Sequence, residues 1–274
     1  MTLKTALAQG TELLAREGIL EPRLTAEVLL AHAMHCERTY FFAHPEQELR
    51  EVEWIHFGRY LDERLKGKPT QYITKKQEFY GRDFKVTRDV LIPRPETELL
   101  VEAVLKRRAE ARAIVDVGTG SGAIAVTLAL ELKRRVMATD LSMEACLIAR
   151  ENAARVGADV DFTAGDLLNA FADSSFEVLV SNPPYVPLQD RATLQREVRD
   201  FEPALALYGG ADGLEVYRRL IPEARRVLKP GGLLALEIGF GQAEAIAEMA
   251  TKWRSVELLP DLAGIPRVLV CERP

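Results

Sequence analysis

The chain has no apolar run of the roughly 18 to 20 residues that a bilayer-spanning helix needs, so no membrane association is expected. Its three cysteines, Cys36, Cys146 and Cys271, are scattered and odd in number, which excludes a disulfide framework and suits the reducing cytoplasm. All four histidines, His32, His35, His44 and His56, precede residue 57, so the rest of the chain must do its chemistry without imidazole. A basic excess is missing too: 36 Lys and Arg face 41 Asp and Glu, giving a formal charge of −5. Proteins that draw their affinity from nucleic-acid phosphates carry the opposite balance, so no stable nucleic-acid partner is expected. The opening MTLKTALAQGTELLAREG places charges in its first turns and has no apolar core or cleavage site. It reads as a helix rather than an export signal.

The 274 residues, 47% hydrophobic and 28% charged, suit a globular chain of one large and one small domain. Residues 1–70 carry apolar stripes at helical spacing: Leu3, Leu7, Leu13 and Leu14, then Leu24, Val28, Leu29 and Leu30, then Trp54, Ile55, Phe57, Tyr60 and Leu61. The spacing predicts a small helical bundle. Residues 71–95 turn aromatic and β-branched around Gly81, which predicts a hairpin linker, and Pro95 is placed to launch a helix from Glu96. From 96 to 274, strand-like runs at 113–117, 135–139, 159–163, 176–181, 232–238, 255–259 and 267–271 alternate with helical patterns. That alternation predicts a parallel, doubly wound α/β sheet of seven strands.

The segment AIVDVGTGSGAIAVTLAL joins a buried strand to an apolar helix through Gly118, Thr119, Gly120, Ser121 and Gly122. Glycines there bring a ligand close to the backbone, and the helix start offers free N–H groups. Asp140 ends the next strand, where a carboxylate can accept both hydroxyls of a ribose. GTGSGA also satisfies the dinucleotide fingerprint, so an NAD(P)-dependent oxidoreductase stays open. Two acids favour S-adenosylmethionine, which leaves as S-adenosylhomocysteine. Asp116 lies inside an apolar strand, a costly place for a carboxylate unless a cation such as a sulfonium uses it. Asp166, in GDLL, is placed to accept an adenine amino group beside the Leu167 backbone, or else to cap a helix.

After a fourth strand comes Asn182-Pro183-Pro184-Tyr185. The prolines stiffen the chain beyond a strand end, where open α/β sheets bind ligands. The Asn182 side-chain carbonyl and the Pro183 backbone carbonyl are two acceptors for a planar –NH2 group, and Tyr185 supplies a flat face. Held this way, a poor amide nucleophile has its lone pair aimed at a methyl donor and its developing positive charge stabilised.

Nearly the whole chain resembles the release-factor glutamine methyltransferases. The resemblance rests on QYI at 71–73, EFYGRDF at 78–84, VLIPRPETE at 90–98, VDVGTGSGAIA at 115–125, SNPPY at 181–185, EPALALYGGADGLEVYR at 202–218, LEIGFGQ at 236–242 and DLAGIPRVLV at 261–270. It implies a helical N-terminal substrate-recognition domain, a hairpin linker and a class I methyltransferase domain. It also implies methyl transfer from S-adenosylmethionine to the glutamine of the Gly-Gly-Gln motif in class 1 peptide-chain release factors. By motif, residues 118–122 and Asp140 would hold the cofactor with Asp166 and Leu167 at its adenine. Asn182 to Tyr185 would take the glutamine amide, Asn182 also bordering the cofactor, and Arg94 and Glu96 would border the cofactor pocket. Two positions depart: Lys75 stands where the family commonly has Gly, and Pro266 where it has a polar residue. N-P-P-Y is shared with adenine N6-methyltransferases of DNA and RNA, which remain the alternative activity, and a silent binding module is a third reading that an intact Asn182 disfavours. His32, His35 and Cys36 crowd one stretch without a second ligand pair, so no metal is expected, and Cys146 has no His partner that would make it a nucleophile.

Overall fold

In the computed structural model, which describes all 274 residues, the Thr2 hydroxyl accepts the Thr5 N–H and so starts α1 (Leu3–Arg16). Pro22 sits in the first turn of α2 (Pro22–Met34), followed by the short α3 (Tyr40–Ala43). At the start of α4 (Glu51–Leu65) the Glu53 carboxylate accepts both the Arg50 backbone N–H and the Arg50 guanidinium. These helices and α5 (Thr70–Thr74) bury Leu3, Leu7, Leu14, Leu29, Leu30 and Phe57 in one core. His32, half-buried, packs against the Tyr60 ring at 5.1 Å between centroids. This core belongs to one compact unit, Met1–Lys76 with Gln195–Phe201; the other comprises Gln77–Leu194 and Glu202–Pro274. Arg64, almost wholly buried, ties the two stretches of the first unit through a 2.6 Å pair with Glu197. Lys75 ends α5 at φ 59°, a left-handed conformation that glycine adopts at no steric cost.

The chain goes on with β1 (Lys76–Phe79) and β2 (Arg82–Lys85), joined through Tyr80 and Gly81, both at positive φ as a tight hairpin turn requires. Pro95 begins a single 3-10 turn, Pro95–Thr97, and α6 (Glu98–Arg107) starts after it rather than at Glu96. The sheet then assembles from β3 (Ile114–Val117), α7 (Ala123–Leu132), β4 (Val136–Asp140), α8 (Met143–Val156), β5 (Val160–Ala164) and β6 (Phe176–Ser181). After α9 (Arg196–Phe201), which belongs to the first unit, it continues through α10 (Ala204–Leu207), α11 (Glu215–Val227), β7 (Leu228–Glu237), α12 (Ala243–Met249), β8 (Arg254–Pro260) and β9 (Pro266–Glu272). The seven strands lie in the order β5-β4-β3-β6-β7-β9-β8.

The expectation of a wholly parallel sheet needs correction at one edge. β9 runs antiparallel to both β7 and β8. Only 261–265 separate β8 from β9, too short for the crossover that a parallel pair demands. Elsewhere helices cover both faces. Leu100, Val104, Ile124 and Leu128 pack with Val178 and Val180 on one side, and Tyr217, Leu220 and Ile221 with Val115, Leu179 and Leu234 on the other. No helix is long and apolar enough to cross a membrane.

Gly10 in α1 is a packing glycine: a Cβ there would lie 2.7 Å from Cζ of the fully buried Phe57. Gly→Ala in a helix interior usually stabilises by about 0.5–1 kcal/mol. Here Gly10→Ala is expected to destabilise by about 1–3 kcal/mol through overpacking. Chemical denaturation followed by helix signal reads the sign, and a stabilised variant would show that the α1–α4 contact yields.

Candidate active site

The two motif turns meet where the strand order reverses. β3 lies between β4 and β6, so its following turn and that of β6 open a crevice at the strands' C-terminal ends. The parallel register sets Val117 opposite Ser181, and the Ser181 hydroxyl donates to the Val117 carbonyl at 2.6 Å. Gly118 and Asn182, the next residue on each strand, therefore emerge side by side. Gly118 and Gly120 take φ of 75° and 54°, and both line a cavity of about 510 Å³. Asp140, Asp166, Leu167, Asn182 and Pro184 line it as well.

Thr119, Ser121, Gly122, Pro183 and Tyr185 are not among the cavity's lining residues. Each has a nearby task in the fold. Thr119 donates to Asp116, the Ser121 carbonyl accepts Asn152 Nδ2, and Pro183 is buried. A Cβ on Gly122 would press on the Ala149 Cβ at 3.0 Å, so that glycine lets α7 and α8 approach.

The carboxylate of Asp140 is held by backbone alone: Oδ2 accepts the Gly120 N–H at 2.8 Å and Oδ1 the Ser142 N–H at 2.9 Å. Burial nevertheless raises its pKa, with the N–H groups of Ser142, Gly120 and Leu141 opposing the rise. Each oxygen keeps a further lone pair for a hydroxyl donor. Asp166 is ion-paired with Arg219 at 2.6 Å, both at the cavity wall and both partly exposed. The cavity's size falls in the usual range for small ligands, about 300–1,000 Å³, and Leu141, Leu167 and Val216 give it apolar walls. Acceptors at Asp140, a glycine cradle and flat apolar sides fit an adenosyl group.

Asp116 is fully buried and does not line the cavity. Its Oδ2 accepts the Thr119 hydroxyl at 2.7 Å while Oδ1 has none, and burial pushes the carboxyl up to about 7. Arg94 and Glu96 are also absent from the cavity wall; Arg88, Asp89, Val90 and Leu91 line it from that stretch, and Arg94 pairs instead with buried Glu202 at 2.5 Å.

Two site residues escaped the motif reading. Asn182 Nδ2 donates to Thr97 Oγ1 at 3.2 Å, and the Thr97 hydroxyl donates to Glu237 Oε2 at 2.6 Å. Glu237 ends β7, almost wholly buried; its other oxygen lies 3.4 Å from the Tyr185 hydroxyl, and its carbonyl accepts the Tyr217 hydroxyl at 2.7 Å. The signal was available: a lone acid at the end of LLALE.

A seven-stranded sheet of this order, with a glycine turn and an acid at adjacent strand ends, defines a class I S-adenosylmethionine-dependent methyltransferase. The comparisons agree. Residues 5–74 match the family described as PrmC N-terminal domain, and residues 95–205 the Methyltransferase small domain. Among solved structures, a methyltransferase from Pyrococcus furiosus aligns with TM-score 0.54 at 23% identity, over 74% of this chain and 93% of its own. A ribosomal protein L11 methylase from Lactobacillus delbrueckii aligns at 0.50 with 21% identity, over 72% and 88%. Release factor glutamine methyltransferases from Koribacter versatilis and Moorella thermoacetica are each 46% identical over 100% of this chain and 99% of their own length. One from Deinococcus radiodurans is 41% identical over 100% and 99%. The chain belongs to the release factor glutamine methyltransferase family.

The Asp116 carboxyl sets a pH dependence. Its folded pKa of about 7 lies above the ordinary 3.8, so the native state binds its proton more tightly than the unfolded chain does. That contribution is complete below the unfolded value and is lost as pH rises through about 7. Asp116→Asn should therefore show a smaller fall in stability than the parent between pH 5 and 8. Parallel denaturation curves at the two pH values check this, and equal falls in both proteins would remove the assignment.

Proposed function

We propose that this chain methylates the side-chain amide nitrogen of the glutamine in the Gly-Gly-Gln motif of class 1 peptide-chain release factors, taking the methyl from S-adenosylmethionine. The observation that carries it is the sharing of one cavity wall by Asn182 and Pro184 with Gly118, Gly120 and Asp140. A cofactor pocket and an amide-recognition motif are thereby one site. The curated relatives bear the matching name over their whole length.

In this reading residues 118–122 shape the cradle, Asp140 accepts the ribose hydroxyls, and Asp166 and Leu167 stand at the adenine end. Bound there, S-adenosylmethionine supplies a methyl carbon made electrophilic by its sulfonium. Asn182 Oδ1 and the Pro183 carbonyl accept the two in-plane hydrogens of the glutamine amide, and Tyr185 limits its plane. These contacts orient the nitrogen lone pair and favour the charge that builds on nitrogen as the new bond forms. No general base is needed before attack, because the surplus proton leaves to water afterwards.

Mass spectrometry of a release factor incubated with the protein and S-adenosylmethionine should find one added methyl on the Gly-Gly-Gln peptide. Labelled methyl entering DNA or RNA, with none in the release factor, would establish the adenine reading instead. Asn182→Ala is expected to keep cofactor binding and lose most turnover; turnover at the parent level would take Asn182 out of the reaction. Asp140→Asn should weaken S-adenosylmethionine about tenfold or more by calorimetry, since replacing a charged acceptor costs about 1.5–3 kcal/mol. Unchanged affinity would place the ribose elsewhere.

A further inference from the structure

We infer that Glu237 and Thr97 are positioning residues that fix which end of the Asn182 amide faces the substrate. The inference deepens the reading above and rests on Asn182 receiving the substrate –NH2. An asparagine side chain has two ends of nearly equal shape and opposite hydrogen-bonding sense. Only the oxygen end can accept an –NH2 group; the flipped amide would set donor against donor. Nothing within N-P-P-Y itself chooses between them.

The choice is made behind the cavity wall by a chain of hydrogen bonds with one direction. An ionised carboxylate only accepts. Glu237 Oε2, 2.6 Å from Thr97 Oγ1, therefore takes the single hydroxyl proton of Thr97. Toward Asn182 the Thr97 oxygen is left with lone pairs alone, so it accepts Nδ2 at 3.2 Å. With nitrogen committed to Thr97, the amide oxygen is the end left for the substrate.

A second observation points the same way. Thr97 is the N-cap of α6, where a threonine hydroxyl ordinarily accepts a backbone N–H of the first turn. It makes no such bond. Instead it reaches across to the end of β7, 140 residues away in sequence.

The groups facing Glu237 are identifiable on every side. Glu96 and Thr97 lie on the 3-10 turn, Tyr185 follows β6, Tyr217 stands on α11 and Arg267 on β9. Burial pushes the Glu237 carboxyl up to about 7, with Thr97, Tyr185 and Arg267 holding it down and Glu96 raising it. Once protonated, Glu237 can donate to Thr97. The threonine proton is then free to turn toward Asn182 and draw the amide oxygen away from the substrate.

The test is steady-state methylation of a release factor by the intact chain and its variants, with S-adenosylmethionine affinity by calorimetry as the check that each variant folds. Thr97→Val and Glu237→Gln should lower kcat about 10- to 100-fold, the scale of a misaligned reacting group, with cofactor affinity unchanged. Thr97→Ser, which keeps the hydroxyl, should restore most of the turnover. The parent kcat should fall as pH drops through about 7, and Glu237→Gln, which cannot titrate, should lose that acid limb. Parent-level kcat in Thr97→Val or Glu237→Gln, beside an inactive Asn182→Ala, would overturn the positioning role and leave the proposed reaction standing. A Thr97→Ser variant as impaired as Thr97→Val would overturn it too, because packing rather than the hydroxyl would then matter. An active Asn182→Ala would remove both the role and the reaction assigned to that residue.

Discussion

The pairing of β3 with β6 is the constraint from which the site follows. Two parallel strands in register, Val117 opposite Ser181, release their chains at the same level and at the point where the sheet's order turns back. One chain leaves through glycines and the other through prolines. The first can curl under a ligand; the second cannot relax away from it. A slip of one residue between these strands would turn every side chain to the opposite face and separate Asn182 from the cavity. The buried hydroxyl bond from Ser181 to the Val117 carbonyl adds a polar lock at the last rung before the turns.

Much of this arrangement is legible in the sequence because the β-strands are apolar runs bounded by Gly, Pro or Asp. All seven strand segments coincide with sheet strands within a few residues. The edge is where reading failed. An apolar run looks alike whether its neighbour is parallel or antiparallel, and only the short 261–265 connection betrays the hairpin. The glycine turn is likewise only partly readable: the spacing marks residues 118–122 but cannot say that Gly122 serves α8 packing while Gly118 and Gly120 face the cavity.

The Thr97–Glu237 pair shows what spacing hides. Asp116 invites attention because a charge inside IVDV is costly, and the same logic applies to Glu237 at the end of LLALE. Its partner, however, sits on a different element, and no local pattern joins them. Asp166 is a similar case, since Arg219 belongs to the helix before β7. Long-range polar contacts are set by topology, and topology is the last thing a linear pattern discloses. The fold pays for two buried acids, Asp116 and Glu237, both of which stay protonated more readily than a surface carboxylate.

The excursion of Gln195–Phe201 into the helical unit changes what counts as a separable part. That unit is discontinuous: a fragment cut after Lys76 would lack one of its own helices and strip the buried Arg64 of its Glu197 partner. The reciprocal fragment would carry a short helix whose packing surface had been deleted. Circular permutation or domain exchange within this family therefore has to move both pieces together, and the nine residues between Tyr185 and Gln195 act as a tether of fixed length in any such exchange.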